Sequence, residues 1–150
     1  MLPAKLFAIL TILPLGAALL EGKPTPQSVD MYVHTTYFVV TIGERRPQIE
    51  MALVTGCFAL IYFAAARWVK HPLNNSLGLA HFAMATVGFV ALLLSEHALR
   101  SMTSWSVRGG QAPIQWPFYA FLGGGLCFLI SCAAFATNIV WTAAKSFRSR

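Results

Sequence analysis

The residues in this sequence best able to do metal or proton chemistry are four histidines: His34, His71, His81 and His97. An imidazole nitrogen can ligate a metal or exchange a proton near neutral pH, so their spacing decides what they can do together. His81 and His97 fall in one apolar run, 16 residues apart. That is about 24 Å along a helix, too far for one shared metal. A transmembrane bis-histidine haem needs two helices presenting His at one depth, and only one apolar run here carries any. The four therefore read as interfacial or packing residues. Cys57, Cys127 and Cys132 show no metal-ligand spacing. Cys127 and Cys132 fall on different faces of a helix, and all three read as small membrane-buried side chains. Glu96 and His97 are neighbours, and adjacent helical residues do not face each other. No phosphate loop, nucleophile elbow or zinc signature occurs. Gly123-Gly124-Gly125 lies inside an apolar run, where small residues suit the close approach of helices. The residues alone thus show no catalytic constellation and point to a structural or accessory membrane subunit.

The elements that must position these residues follow from composition. Of 150 residues, 57% are apolar and 11% charged. A soluble domain usually carries about 25% charged residues. Less than half of that leaves too little polar surface for a water-soluble globule and too much apolar surface for a disordered chain. Three cysteines in apolar runs do not make a disulfide scaffold. The class left is a single all-α membrane domain spanning residues 1–150, with the lipid bilayer as its first partner. The net charge of +6 then marks helix ends and gives no reason to expect a nucleic-acid partner.

Four helices are expected, at about 4–20, 48–67, 76–96 and 118–145. About 20 residues cross a hydrocarbon core of about 30 Å. Pro47 suits the first turn of the second helix, where its missing N–H would be unpaired anyway. The first run also fits a cleaved secretory signal, with Lys5 before it and Gly16-Ala17-Ala18 at its end, which would leave three helices. Arg67, Lys70 and His71 lie between runs two and three, and Lys145, Arg148 and Arg150 follow run four. Neither segment contains an acid, whereas Glu21, Asp30, Glu44, Glu50 and Glu96 all lie toward the opposite side. Acid-free basic segments face the cytoplasm. A bacterial inner membrane is the expected location, with both termini cytoplasmic if the first helix is retained. On the outer side, Val29 to Ile42 is rich in Val, Tyr, Phe and Thr. It is expected to form a strand or an extended segment across the helix tops, at about 29–42. Trp105 and Trp116 read as interfacial anchors.

Three local patterns go further. Asp30-Met31-Tyr32-Val33-His34-Thr35-Thr36-Tyr37-Phe38-Val39-Val40 resembles the segment that leads into helix ten of subunit I in haem-copper terminal oxidases. There the pattern is roughly D-x-x-x-H-D-T-Y-[FY]-V-V-A-H-F-H. Leu73-Asn74-Asn75-Ser76-Leu77-Gly78-Leu79-Ala80-His81-Phe82, then Gly88-Phe89, then Glu96-His97, is similar to helix eleven of that subunit. The interval from His81 to His97 matches the family's. Run four, with Asn138 and Trp141 near its end, resembles the final helix, and run one falls where helix nine would be. The resemblance covers about residues 30–147. It implies a scaffold like the C-terminal helices, about nine to twelve, of a cytochrome c oxidase subunit I.

The departures are chemical. In the family, A-H-F-H supplies a proximal ligand to each of two haems; here the aligned residues are Thr41, Ile42, Gly43 and Glu44. Ile and Gly cannot ligate, and Glu44 is not a usual haem ligand. The family's H-D before T-Y helps bind a magnesium ion; here His34 remains and the Asp is Thr35. Arg108 alone stands for the family's paired propionate-binding arginines. The copper ligands belong to helices that this chain does not contain. His34, Glu44 and Arg108 are therefore the candidate cofactor residues, with His34 the candidate metal ligand. No cofactor is expected on this chain alone, and haem only within a complex. The resemblance implies a non-catalytic, subunit-I-like subunit or assembly partner of a respiratory haem-copper oxidase or related electron-transfer complex, whose other membrane subunits are its partners. One alternative is a split oxidase subunit that shares a haem site, and hence an oxidoreductase activity, with another chain. Another is an unrelated small polytopic protein in transport or sensing.

Overall fold

The computed structural model describes residues 2–20, 27–33, 36–42, 47–68, 73–106 and 115–148. The order of elements is α1 (Leu2–Leu20), β1 (Gln27–Val33), β2 (Thr36–Ile42), α2 (Pro47–Trp68), α3 (Asn75–Ser106) and α4 (Gln115–Arg148). All four helices are long and apolar enough to cross a membrane. The outer segment expected at about 29–42 is an antiparallel hairpin, with Gln27 opposite Ile42 and Val33 opposite Thr36, and β1 touches α3. Pro47 opens α2, and α1 continues through Pro14. α3 runs on to Ser106 instead of ending near 96, because His97 and Arg100 end an apolar run without breaking a helix. Its 32 residues make a rod of about 48 Å, longer than the hydrocarbon core.

Lipid tails are as apolar as leucine, so burying large apolar side chains gives no reason for these helices to associate. Many of the buried positions accordingly carry small or polar residues, alongside the large side chains of Phe7, Met51, Tyr62 and Phe89. On α4 they include Pro117, Gly124, Ser131 and Asn138, one every seven residues. The large side chains of Phe121, Leu126, Leu129 and Val140 are exposed. On α3 the matching positions are Asn74, just before the helix, then His81, Gly88 and Ser95, again seven apart. Four rungs result. Asn138 holds the backbone of Asn74. The Ser131 hydroxyl donates to the His81 carbonyl at 3.1 Å. Gly88 and Gly124 meet backbone to backbone. The Ser95 hydroxyl donates to the Pro117 carbonyl at 2.7 Å. Each step of seven forward on α3 is a step of seven back on α4, the period that keeps one seam facing its partner along the whole pair.

α1 packs antiparallel on α2. The Thr55 hydroxyl donates to the Met51 carbonyl at 2.8 Å, which leaves its oxygen to accept from Thr11 at 3.0 Å. α1 also reaches α3, where Pro3 lies over Gly78; a Cβ there would stand 2.7 Å from the proline ring. Phe7 is fully buried, with Phe58 and Tyr62 of α2 and Phe82 of α3 around it. α1 is thus a member of the bundle, and losing it as a signal would remove the centre of this cluster.

The glycine triplet divides sharply. A Cβ on Gly124 would lie 2.9 Å from the Gly88 carbonyl oxygen, whereas one on Gly123 or Gly125 meets nothing within 4 Å. Gly124→Leu is expected to force α3 and α4 apart and to cost about 1–3 kcal/mol. Gly123→Ala and Gly125→Ala are expected to be neutral, or to gain up to about 1 kcal/mol from helix propensity. Unfolding in detergent, followed by circular dichroism, measures both; equal effects at all three glycines would contradict the register.

Candidate functional site

The polar side chains that remain converge where α1 and α3 begin and α2 and α4 end. Asn74 caps α3. Its side-chain oxygen accepts the Ser76 N–H at 2.8 Å and the Leu77 N–H at 3.4 Å, the bonds an N-cap residue makes to otherwise unpaired donors. Its carbonyl accepts the first helical bond, from the Gly78 N–H at 2.9 Å. Asn138 then closes on the same residue from α4: its oxygen accepts the Asn74 N–H at 2.8 Å and its amide donates to the Asn74 carbonyl at 3.0 Å. Asn138 is fully buried, so this clasp satisfies polar groups that water cannot reach.

Two turns further along α3 lies His81, also fully buried. The Tyr62 hydroxyl of α2 stands 3.1 Å from its Nδ1. When Tyr62 donates, Nδ1 is the acceptor and the imidazole proton resides on Nε2. Among the described residues Nε2 has no hydrogen-bond partner. Ring centroids of Phe58, Phe7 and Phe135 lie 4.4, 4.7 and 4.9 Å from that of the imidazole. Such rings offer only weak N–H···π acceptance in place of a full hydrogen bond. The arrangement holds the histidine as one ring of an aromatic core.

The cluster therefore does not fit a haem. The aromatic rings occupy the space beside the imidazole where a porphyrin face would have to lie, and they come from three helices at once. Among the described residues no group of three or more His, Cys, Asp or Glu side chains lies together. His97 is exposed and Glu96 half-buried, both beyond Ser95 and away from His81. Cys57 is exposed, and Cys127 and Cys132 are half-buried. His34, Glu44, Arg108 and His71 lie outside the described residues. Thr41 and Ile42, two positions aligned with the family's haem-ligating stretch, close β2.

Sequence reasoning singled out Asn74, Gly88 and Asn138 only through the resemblance and His81 already as one of four histidines, and it missed Phe7, Tyr62, Ser95 and Ser131 as contact residues. The signal that finds the α4 set is the seven-residue recurrence of Pro117, Gly124, Ser131 and Asn138. Comparison with protein-family models, with curated proteins and with solved structures gives no match.

If His81 is a core ring, His81→Ala opens a cavity where four helices meet and is expected to cost about 2–5 kcal/mol. The double replacement Tyr62→Phe with His81→Phe removes both hydrogen-bonding groups and keeps both rings. It is expected to cost less than about 1.5 kcal/mol. Denaturant unfolding of the two variants in micelles provides the comparison. A double variant as damaged as His81→Ala would show that the polar pair, not the ring packing, matters there.

Proposed function

We propose that this chain is a non-catalytic, subunit-I-like membrane subunit or assembly partner of a respiratory haem-copper oxidase or a related electron-transfer complex. The observation that carries the reading is the use made of the residues behind the resemblance. Asn74, Gly78, His81, Phe82, Gly88 and Phe89 lie along α3 as a cap, two close-approach points and core rings. Asn138 meets that strip from α4. Each makes a helix-packing contact. The ligand positions have meanwhile been replaced by Thr41, Ile42, Gly43 and Glu44. A scaffold that keeps its packing side chains and loses its ligands is suited to support a neighbouring catalytic subunit.

In this reading the chain resides in a bacterial inner membrane with the Asn74 end of the bundle in the cytoplasm, as the acid-free basic segments direct. The outward faces of α1, α2 and α4, lined by exposed residues such as Leu19, Leu60 and Leu129, meet lipid and the partner subunits. One observation favours a second reading, an unrelated four-helix module in transport or sensing. The stretch that resembles a lead-in to a helix, Thr36–Ile42, forms a strand.

Solubilising native membranes in a mild detergent and isolating the tagged chain separates the two. Co-migration with oxidase subunits in fixed proportion is the expected result. A chain that migrates alone, from membranes in which the oxidase itself stays assembled, contradicts the proposal.

A further inference from the structure

The charges of the bundle are sorted by end. Pro3 at the start of α1 sits against Gly78 at the start of α3. Tyr62, near the end of α2, meets His81, and Asn138, near the end of α4, holds Asn74. One end therefore gathers the first turns of α1 and α3 and the last turns of α2 and α4. Three exposed cations stand there, Lys5 on α1, Arg67 on α2 and Lys145 on α4. Glu50, at the start of α2, and Glu96, late in α3, belong to the opposite end. In sequence, Lys70 follows α2, Arg148 closes α4 and Arg150 follows it. Among the side chains that are described, this end thus holds three cations and neither Glu50 nor Glu96.

Two tryptophans frame the same end. Trp68 is 80% exposed and Trp141 54% exposed. The Lys145 Nζ lies 5.5 Å from the centroid of the Trp141 ring, a cation–π pairing that orders the long side chain without neutralising it. Tryptophan seeks the boundary between acyl chains and headgroups, and lysine and arginine reach past that boundary to the phosphates. Arg67 lies five residues beyond Tyr62 and Lys145 seven beyond Asn138, about 8 and 10 Å further along their helices. That places Arg67 about level with the Asn74–Asn138 clasp and Lys145 about two turns further out, while Lys5 stands about half a turn beyond Phe7; long side chains carry such cations toward the headgroups.

We propose that this end of the bundle is a docking surface for anionic phospholipid headgroups, held by Lys5, Arg67 and Lys145 and framed by Trp68 and Trp141. The complementarity is of charge. The cations sit on three different helices, and anionic headgroups are the counterions that the bilayer itself brings to that end. Each cation near such a surface adds attraction that salt screens within about 10 Å. A lipid is also held at this depth by its chains, which gives its phosphate a high effective concentration that free phosphate lacks. The inference rests on the membrane-spanning helices and not on any link to an oxidase.

The test uses the full chain, delipidated in mild detergent and offered phosphatidylglycerol, phosphatidylcholine or inorganic phosphate. Retained lipid is counted by native mass spectrometry, and the thermal midpoint is followed in parallel. Phosphatidylglycerol is expected to be retained about tenfold over phosphatidylcholine and to raise the midpoint. The preference is expected to fade in about 0.5 M salt. The triple variant Lys5→Gln, Arg67→Gln, Lys145→Gln changes only exposed side chains, and its helix content is expected to equal that of the parent. It is expected to lose most of the preference. Equal retention of the two lipids by the parent chain overturns the proposal. So does an unchanged preference in a folded triple variant. A midpoint raised as much by inorganic phosphate as by phosphatidylglycerol also overturns it, since that identifies a phosphate site and not a lipid surface.

Discussion

The structure depends on a register. α3 and α4 run antiparallel, and every seventh residue of one meets every seventh residue of the other, from Asn74 with Asn138 to Ser95 with Pro117. Inside a bilayer no water is available to satisfy a stray polar group, and no hydrophobic force draws one apolar helix to another. What remains is close contact and interhelical hydrogen bonding, and each rung supplies one or both. Each such bond contributes little, about 0.6 kcal/mol on average in comparable bundles. Four in one register nevertheless leave a single way for the pair to fit, because slipping by one residue would bring side chains against Gly88 and Gly124, where only bare backbone fits.

This constraint gives side chains that look reactive a part in the packing. His81, Ser131, Asn138 and Thr55 are the buried polar groups of the described bundle, together with Ser95 and Thr142. His81 touches a tyrosine hydroxyl, and its own carbonyl is the acceptor for Ser131. Asn138 serves a helix cap, and Thr55 a neighbouring threonine. A polar atom committed in this way has a contact to break before it can serve a metal or a substrate; among the described residues the buried His81 Nε2 carries no such hydrogen bond. α3 carries most of these commitments and acts as the spine against which α1 and α4 are set, while α2 completes the aromatic core through Phe58 and Tyr62.

Much of this was legible in the sequence, for plain reasons. A low charge content and four long apolar runs leave few alternatives to a membrane bundle. The β-branched and aromatic stretch at 29–42 is a hairpin, and Pro47 opens α2 as its chemistry requires. The glycine triplet was correctly read as a point of helix approach, although only Gly124 makes the contact. Less legible was which face of each helix points inward. In water the large apolar side chains mark the core; here Leu126, Leu129 and Val140 face outward and glycine, serine and asparagine face in. A search for an apolar stripe therefore finds the lipid face. The core ring formed by Phe7 had no local signal, because it depends on three helices meeting. The full length of α3 was hidden as well, since the bilayer limits an apolar run and not the helix that contains it.

The central claim is that the buried histidine and its neighbours are struts and not ligands. A reduced-minus-oxidised optical spectrum of the purified chain, stripped of other subunits, tests it most directly. The account predicts a featureless Soret region. A Soret band that travels with this chain and disappears in His81→Ala, while the helices remain folded, would contradict it.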